Sequence, residues 1–351
     1  MHIDDLDTPF LLVHLDALEE NLDRAQAYCD EHHVGLRPHI KTHKCLAISR
    51  MQMDRGAMGI VCQKLGEAEV MVDGGVDRDV LIPYNIVGRI KLERLAALAP
   101  RTRLTVAADS EYTARGLSEA MTAAGTRVGV IVEVDQGRTG VRTPAAIADM
   151  AALIDSLPGL ELRGIMIMPS PPSCRPLLQA VLSGLDARGL PHPIVSGGAS
   201  PCMWTAHEVP ELTEHRAGEY PVGGMKHLQV GTHTVEQCAG RVLTTVVSRP
   251  GADRAILDAG SKSLSLAVHH DERGGLLGHI VEYPEARLSG ASEEHGHLDV
   301  SRCDPKPRIG ERVEIIPVHP CPTFNEHDEI AAVRGDRVEA VWPVEARGCI
   351  R

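Results

Sequence analysis

Two lysines and two histidines crowd into Pro38-His39-Ile40-Lys41-Thr42-His43-Lys44, a basic heptad where an apolar strand gives way to a helix. A lysine placed where a parallel strand stops lies on the catalytic face of a β/α barrel, and partial burial there lowers its pKa toward an amine that is nucleophilic at neutral pH. Lys41 has that placement and is the candidate for a Schiff base. A solvated basic helix start would account for the same seven residues. Ser196-Gly197-Gly198-Ala199-Ser200 follows a short late strand, where backbone N–H groups freed by glycine can surround a phosphate; a Gly-Gly turn that merely ends a strand has the same spacing. His319 and Cys321 follow the run 313–316 two residues apart, so in extended backbone both side chains project the same way, as metal ligands must. Thiolate plus imidazole suits zinc, whereas magnesium and calcium prefer oxygen. An unliganded histidine beside a buried cysteine is the other account of the pair.

The elements that must position these groups follow from periodicity. Residues 8–15 alternate as a strand, and Asp16 with Glu19 three residues on predicts a helix N-cap for the amphipathic run ending near His33. Strand and helix then repeat every roughly 20–25 residues. Segment 35–39 feeds a helix ending at Gly56, 58–62 feeds a helix over 65–73 with Gly74 as C-cap, and 80–82 precedes a helix from Gly88. Further strands are expected at 104–107, 128–134, 160–167 and 194–195, with a helix over 145–157 behind Pro144 at its first position. About eight such units predict an α/β fold with a (β/α)8 TIM-type barrel over residues 16–240. Beyond Gly240 the texture changes to β-branched runs at 242–247, 255–257, 312–316 and 338–341, separated by Gly, Pro and Asp turns, which predicts a mostly antiparallel β domain over 241–351.

Composition narrows the function classes. A formal charge of −12 with pI near 5.8 and no basic stripe argues against a nucleic-acid partner. No run approaches the ~18 apolar residues of a membrane span, and the start Met1-His2-Ile3-Asp4-Asp5 is acidic where a signal peptide is basic. Nine scattered cysteines without a CxxC pair fit reduced thiols, so a cytoplasmic protein with no membrane partner is expected.

PHIKTHK, a strand, and then Lys64-Leu65-Gly66-Glu67-Ala68-Glu69-Val70 resemble the D-threonine aldolase and D-serine dehydratase family, fold-type III enzymes dependent on pyridoxal phosphate (PLP). The resemblance runs nearly end to end, through Asp258-Ala259-Gly260-Ser261-Lys262 and Ser292-Glu293-Glu294-His295-Gly296-His297 to His319-Pro320-Cys321. It implies an alanine racemase-like barrel, with residues 1–15 joining the β domain. Lys41 then matches the lysine that holds PLP, Ser196, Gly197, Gly198, Ala199 and Ser200 match its phosphate loop, and Tyr220 matches a tyrosine near that phosphate. Arg138, in a segment 133–141 whose loop looks two residues tighter than usual, matches the arginine that meets the phenolic oxygen of PLP; a structural Arg138–Asp135 pair is the other reading. His319 and Cys321 match the metal pair, with zinc expected and manganese as the alternative, and a homodimer is implied.

The activity implied is retro-aldol cleavage of a D-β-hydroxy-α-amino acid to glycine and an aldehyde. The runner-up is dehydration of the D-serine or D-3-hydroxyaspartate type, giving a 2-oxo acid and ammonia, with an amino-acid racemase or a non-catalytic PLP carrier behind it. Two departures bear on this choice. Cys321 resembles the dehydratases, since family aldolases often carry Asp there. The strand ending at Met168 runs into Pro169-Ser170-Pro171-Pro172-Ser173 and lacks the Tyr and Gly-His that aldolases direct at the substrate hydroxyl, which leaves His39, His207 or a metal-bound hydroxide as the base.

Overall fold

The computed structural model describes residues 1–351, which divide into two units: residues 24–41, 48–218 and 349–351 form one, and residues 1–23, 42–47 and 219–348 the other. The first strand, β1 (Phe10–His14), belongs to the latter. The barrel unit carries β2 (Gly35–Leu36), β3 (Ile60–Val61), β4 (Asp79–Asn85), β5 (Arg103–Ala108), β6 (Val128–Val134), β7 (Leu160–Ile167), β8 (Ile194–Gly198) and β9 (Glu214–Arg216). All pair in parallel, in the order β2-β9-β8-β7-β6-β5-β4-β3. Backbone bonds from Met58 to Leu36, from Val61 to Pro38 and from Ile40 to Val61 tie the two ends of that order together, so the ring closes as the periodicity predicts.

Helices pack outside the strands, which explains why β6 is buried along its whole length and reads as Val and Ile apart from Gly129 and the buried Glu133. Local signals set the helix ends. Thr143 caps Pro144–Ser156 by accepting from the Ala146 N–H, Ser110 caps Glu111–Ala123 through Thr113, and Gly74 ends Leu65–Asp73. The expected cap at Asp16 is not formed. β1 runs straight into the helix Leu15–Glu31, so Asp16 lies within its first turn, where its carboxylate meets Arg334.

A polar chain crosses the barrel interior. Arg37, 1% exposed, pairs with Asp79 Oδ1 at 2.8 Å and with Glu214 Oε2 at 2.9 Å; Glu214 Oε1 accepts from Ser196 Oγ at 2.6 Å, and Ser196 Oγ accepts from Arg216 Nε at 2.8 Å. A Cβ on Gly59 would stand 2.6 Å from Arg37 Nη1, so the guanidinium occupies space that only a glycine leaves. Removing one partner of a buried pair strands the other charge in low dielectric. Arg37→Ala is therefore expected to destabilise the protein by ~3–5 kcal/mol, read by chemical denaturation, and a loss below about 1 kcal/mol would contradict this account.

In the second unit β10 (Gly240–Gly251), β11 (Arg254–Leu257), β12 (His269–Asp271), β13 (Gly274–Leu276), β14 (Gly278–Ile280), β15 (Arg287–Ala291), β16 (Gly296–Asp299), β17 (Arg312–Pro317), β18 (Glu329–Arg334) and β19 (Arg337–Pro343) follow in sequence. β12 and β13 form a separate hairpin, and the others join one sheet with the spine β15-β16-β11-β10-β1-β18-β19. β1 lies antiparallel to β10 and parallel to β18, so the N-terminal strand completes this sheet. Two of the sequence motifs are architectural here. Asp258 accepts from the hydroxyls of Thr8 and Thr244, and a Cβ on Gly260 would lie 2.3 Å from the Glu293 carbonyl, so Asp258–Lys262 and Ser292–His297 pack on each other. No helix is long and apolar enough to cross a membrane.

Candidate active site

In the barrel unit the candidate residues stand where strands end. Lys41 is half-buried in the turn that follows the His39–Val61 bridge beyond β2. The motif Lys64–Val70 explains part of that turn's order. Glu67 reaches back to the N–H groups of Gln63 and Lys64, at 2.6 and 3.2 Å, capping its own helix and fixing Gln63. Gln63 Oε1 in turn lies 3.0 Å from His39 Nε2, while His39 Nδ1 faces the Lys41 N–H at 3.5 Å. That network assigns the proton to Nε2 and turns the Nδ1 lone pair to the backbone. Burial, then Lys41, hold His39 well below its ordinary pKa, so it is a neutral ring that orders the Lys41 turn.

Arg138, in the loop after β6, is exposed and lies 3.8 Å from Glu133 Oε1 and 3.6 Å from Met168 Sδ. Asp135 is instead taken by Arg142 at 3.1 Å and by the Gly137 N–H at 2.7 Å, so the alternative Arg138–Asp135 pair is not the one formed. At the end of β8, Gly197 and Gly198 admit close neighbours: a Cβ on the first would meet Ser170 Oγ at 2.8 Å and on the second Arg216 Nη2 at 3.3 Å. Ala199 has φ +86°, a conformation costing a non-glycine residue of order 1–3 kcal/mol, and such strain gathers at ligand sites. Ser200 Oγ accepts from the Gly218 N–H. Arg216, at the end of β9, is buried, and burial lowers its pKa to about 10. Strand ends bearing an amine, two guanidiniums and a strained Gly-Gly-Ala-Ser turn suit an anionic aldehyde such as PLP. A cavity of about 530 Å³ in this unit is lined by Gln63, Tyr84, Asn85, Glu133, Arg138 and Thr139.

His207 sits in an aromatic cluster, with Nδ1 2.7 Å from the Tyr28 hydroxyl and its ring stacked on His32 at 4.4 Å.

In the second unit Cys321 is the second residue of the helix Pro320–Glu326, which follows β17, and His319 is that helix's N-cap residue, so the pair spans a helix start and not the extended backbone that the spacing predicts. The two side chains converge on Glu219, which sequence reasoning missed. His319 Nε2 lies 3.0 Å from Glu219 Oε1 and Cys321 Sγ lies 3.5 Å from the same oxygen, while Thr42 Oγ1 approaches Cys321 Sγ at 3.2 Å. Burial alone would raise the Glu219 pKa, but hydrogen bonds from His227 and His319 outweigh it and hold the carboxyl well below its usual range. Cys321 and then Glu219 push His319 up to about 10. Imidazole and thiol sulfur presented to one side suit a borderline divalent ion such as zinc. Tyr220 is buried, and its carbonyl accepts from His233 at 2.9 Å. A cavity of about 470 Å³ in this unit is lined by Glu219, Lys226, Gln229, Val268, His269 and His319. The one sequence cue for Glu219 is an acidic residue directly before Tyr220, which means little without the fold.

Comparison with known proteins places these features in context. Residues 13–226 match the family described as "Alanine racemase, N-terminal domain", and residues 239–333 the one described as "Putative serine dehydratase domain". D-threonine aldolase of Arthrobacter sp is 33% identical over 370 residues, covering 99% of this chain and 94% of that protein. D-threo-3-hydroxyaspartate dehydratase of Delftia sp. is 29% identical, covering 96% and 97%. The crystal structure of D-threonine aldolase from Filomicrobium marinum superposes with a TM-score of 0.90 at 34% identity, covering 99% and 97%.

Proposed function

The chain belongs to the fold-type III family of D-threonine aldolases and D-serine dehydratase-like enzymes, and from that premise we propose that it is a PLP- and metal-dependent lyase that cleaves D-β-hydroxy-α-amino acids to glycine and an aldehyde. The observation that carries the metal-dependent lyase reading is the His319–Cys321 pair, turned toward a common point: a racemase has no use for a metal pair, a lone PLP barrel lacks the unit that holds it, and cleavage and dehydration can both use it. When bound, PLP supplies an electron sink for the substrate's α-carbon and a divalent ion supplies a Lewis acid for its β-hydroxyl. Lys41 would hold the cofactor through its amine and, when that amine is free, would move a proton. His39 and Gln63 keep its turn in place. Ser196–Ser200, with Tyr220, hold the phosphate, and Arg138 holds the phenolic oxygen. His319 and Cys321 hold the ion, zinc or manganese.

One observation favours dehydration as a second reading. The segment after β7 presents no imidazole, and the Ser170 hydroxyl is committed to Gly198, 3.0 Å from its N–H and 3.1 Å from its carbonyl, so no base for a β-hydroxyl stands there. In a dehydration Lys41 itself takes the α-proton and the hydroxyl leaves.

Product identity decides between the two. Offered D-threonine, D-allo-threonine, D-phenylserine and D-serine with PLP and zinc or manganese, the enzyme is expected to release glycine in amounts equal to the aldehyde. Stoichiometric ammonia and 2-oxo acid with no glycine would overturn cleavage in favour of dehydration.

A further inference from the structure

We propose that Glu219 is a third protein ligand of the divalent ion, an inference that rests on the reading of His319 and Cys321 as metal ligands. One ligand atom from each of Glu219, His319 and Cys321 lies within 4.8 Å of the others. The individual spacings are more telling. A tetrahedral zinc with bonds of about 2.0 Å to nitrogen and oxygen and about 2.3 Å to sulfur separates N from O by about 3.3 Å and S from O by about 3.5 Å. Glu219 Oε1 stands 3.0 Å from His319 Nε2 and 3.5 Å from Cys321 Sγ, so these edges need only a few tenths of an ångström of relaxation.

The carboxylate is built for one-oxygen ligation. Its other oxygen, Oε2, lies 3.1 Å from Nε2 of His227, a ring 1% exposed whose Nδ1 is 3.0 Å from the Thr232 hydroxyl. That chain aims Oε1 at the imidazole and the thiol, as outer partners of a metal ligand do. Charge points the same way. Thiolate and carboxylate together neutralise a dication, which matters because Glu219 is only 17% exposed. Three protein ligands leave a fourth position open for the substrate's hydroxyl, the pattern of catalytic zinc, whereas two ligands alone hold an ion weakly.

The test uses full-length, PLP-loaded protein stripped of metal, with Co²⁺ as the probe. Affinity is measured by competition against a chromophoric chelator and coordination by the cobalt d–d spectrum. Losing an outer partner of a metal ligand costs about 10–100-fold in affinity, so Glu219→Gln is expected to lose ~100-fold or more and also to change the d–d intensity. Glu219→Asp, which keeps the carboxylate on a shorter stem, is expected to fall between wild type and Gln. A Gln variant that binds Co²⁺ within about twofold of wild type, or more weakly with the wild-type spectrum, makes Glu219 an outer partner and overturns the inference. His319→Ala separates the two levels of the argument: unchanged Co²⁺ binding in that variant means that the ion lies elsewhere, and the underlying metal reading fails.

Discussion

Lys41→Ala is expected to abolish turnover and to remove the visible absorbance of lysine-bound PLP. Covalent attachment needs an amine at the end of a barrel strand, and a truncated side chain leaves nothing to bond the cofactor or to move the α-proton. The neighbouring lysines cannot easily substitute. Lys44 donates to Asn325 Oδ1 at 2.8 Å from a residue with φ +52°, and Lys64 holds its ammonium 3.7 Å over the Tyr84 ring. Both are engaged in structure, and neither occupies the turn that His39 and Gln63 order. Borohydride reduction followed by peptide mapping is expected to place the label on Lys41. A labelled peptide containing Lys64, or a Lys41→Ala protein that keeps its absorbance, would remove Lys41 from the chemistry.

The strands were legible wherever burial on both faces forces an apolar run. β6 and β7 fall at 128–134 and 160–167, as periodicity predicts, because parallel strands under helices are apolar over most of their length, with Glu133, Glu161 and Arg163 the exceptions. The eighth strand was not legible. Glu214, His215 and Arg216 have no hydrophobic signal, and they are buried because Arg37, Ser196 and the Ile167 carbonyl meet Glu214 and Arg216 inside the barrel. A pattern of residue types cannot show that two charges will neutralise each other across 177 residues of chain. The same limit hid Glu219, whose role depends on a histidine 100 positions further on. Lys41 could be singled out because a strand end carries geometry in the sequence itself, whereas His319 and Cys321 were picked out by the family resemblance, since Cys321 stands in a helix and not in the extended run that the two-residue spacing assumed. The resemblance of the Lys64–Val70 motif pointed to a family, whereas the structure explains the motif: Glu67 caps a helix and thereby sets Gln63 against His39.

Chelation is expected to abolish activity while PLP stays bound, zinc or manganese to restore it, and His319→Ala and Cys321→Ala each to reproduce the chelated state. A Lewis acid on the leaving or cleaving hydroxyl contributes several kcal/mol to the transition state, and about 1.4 kcal/mol is a factor of ten, so kcat/KM should fall by ~10²-fold or more. The loss should appear in either reaction, because cleavage and dehydration both act on the same β-hydroxyl. Cys321→Asp separates loss of the ion from loss of the fold. An aspartate offers oxygen where the thiolate stood, which disfavours zinc relative to manganese and leaves a site of the same charge. That variant is expected to recover activity with manganese more fully than with zinc, whereas Cys321→Ala recovers with neither. Full activity in a rigorously metal-free preparation would leave His319 and Cys321 without a catalytic role and return the barrel, with Lys41 in place, to the racemase reading.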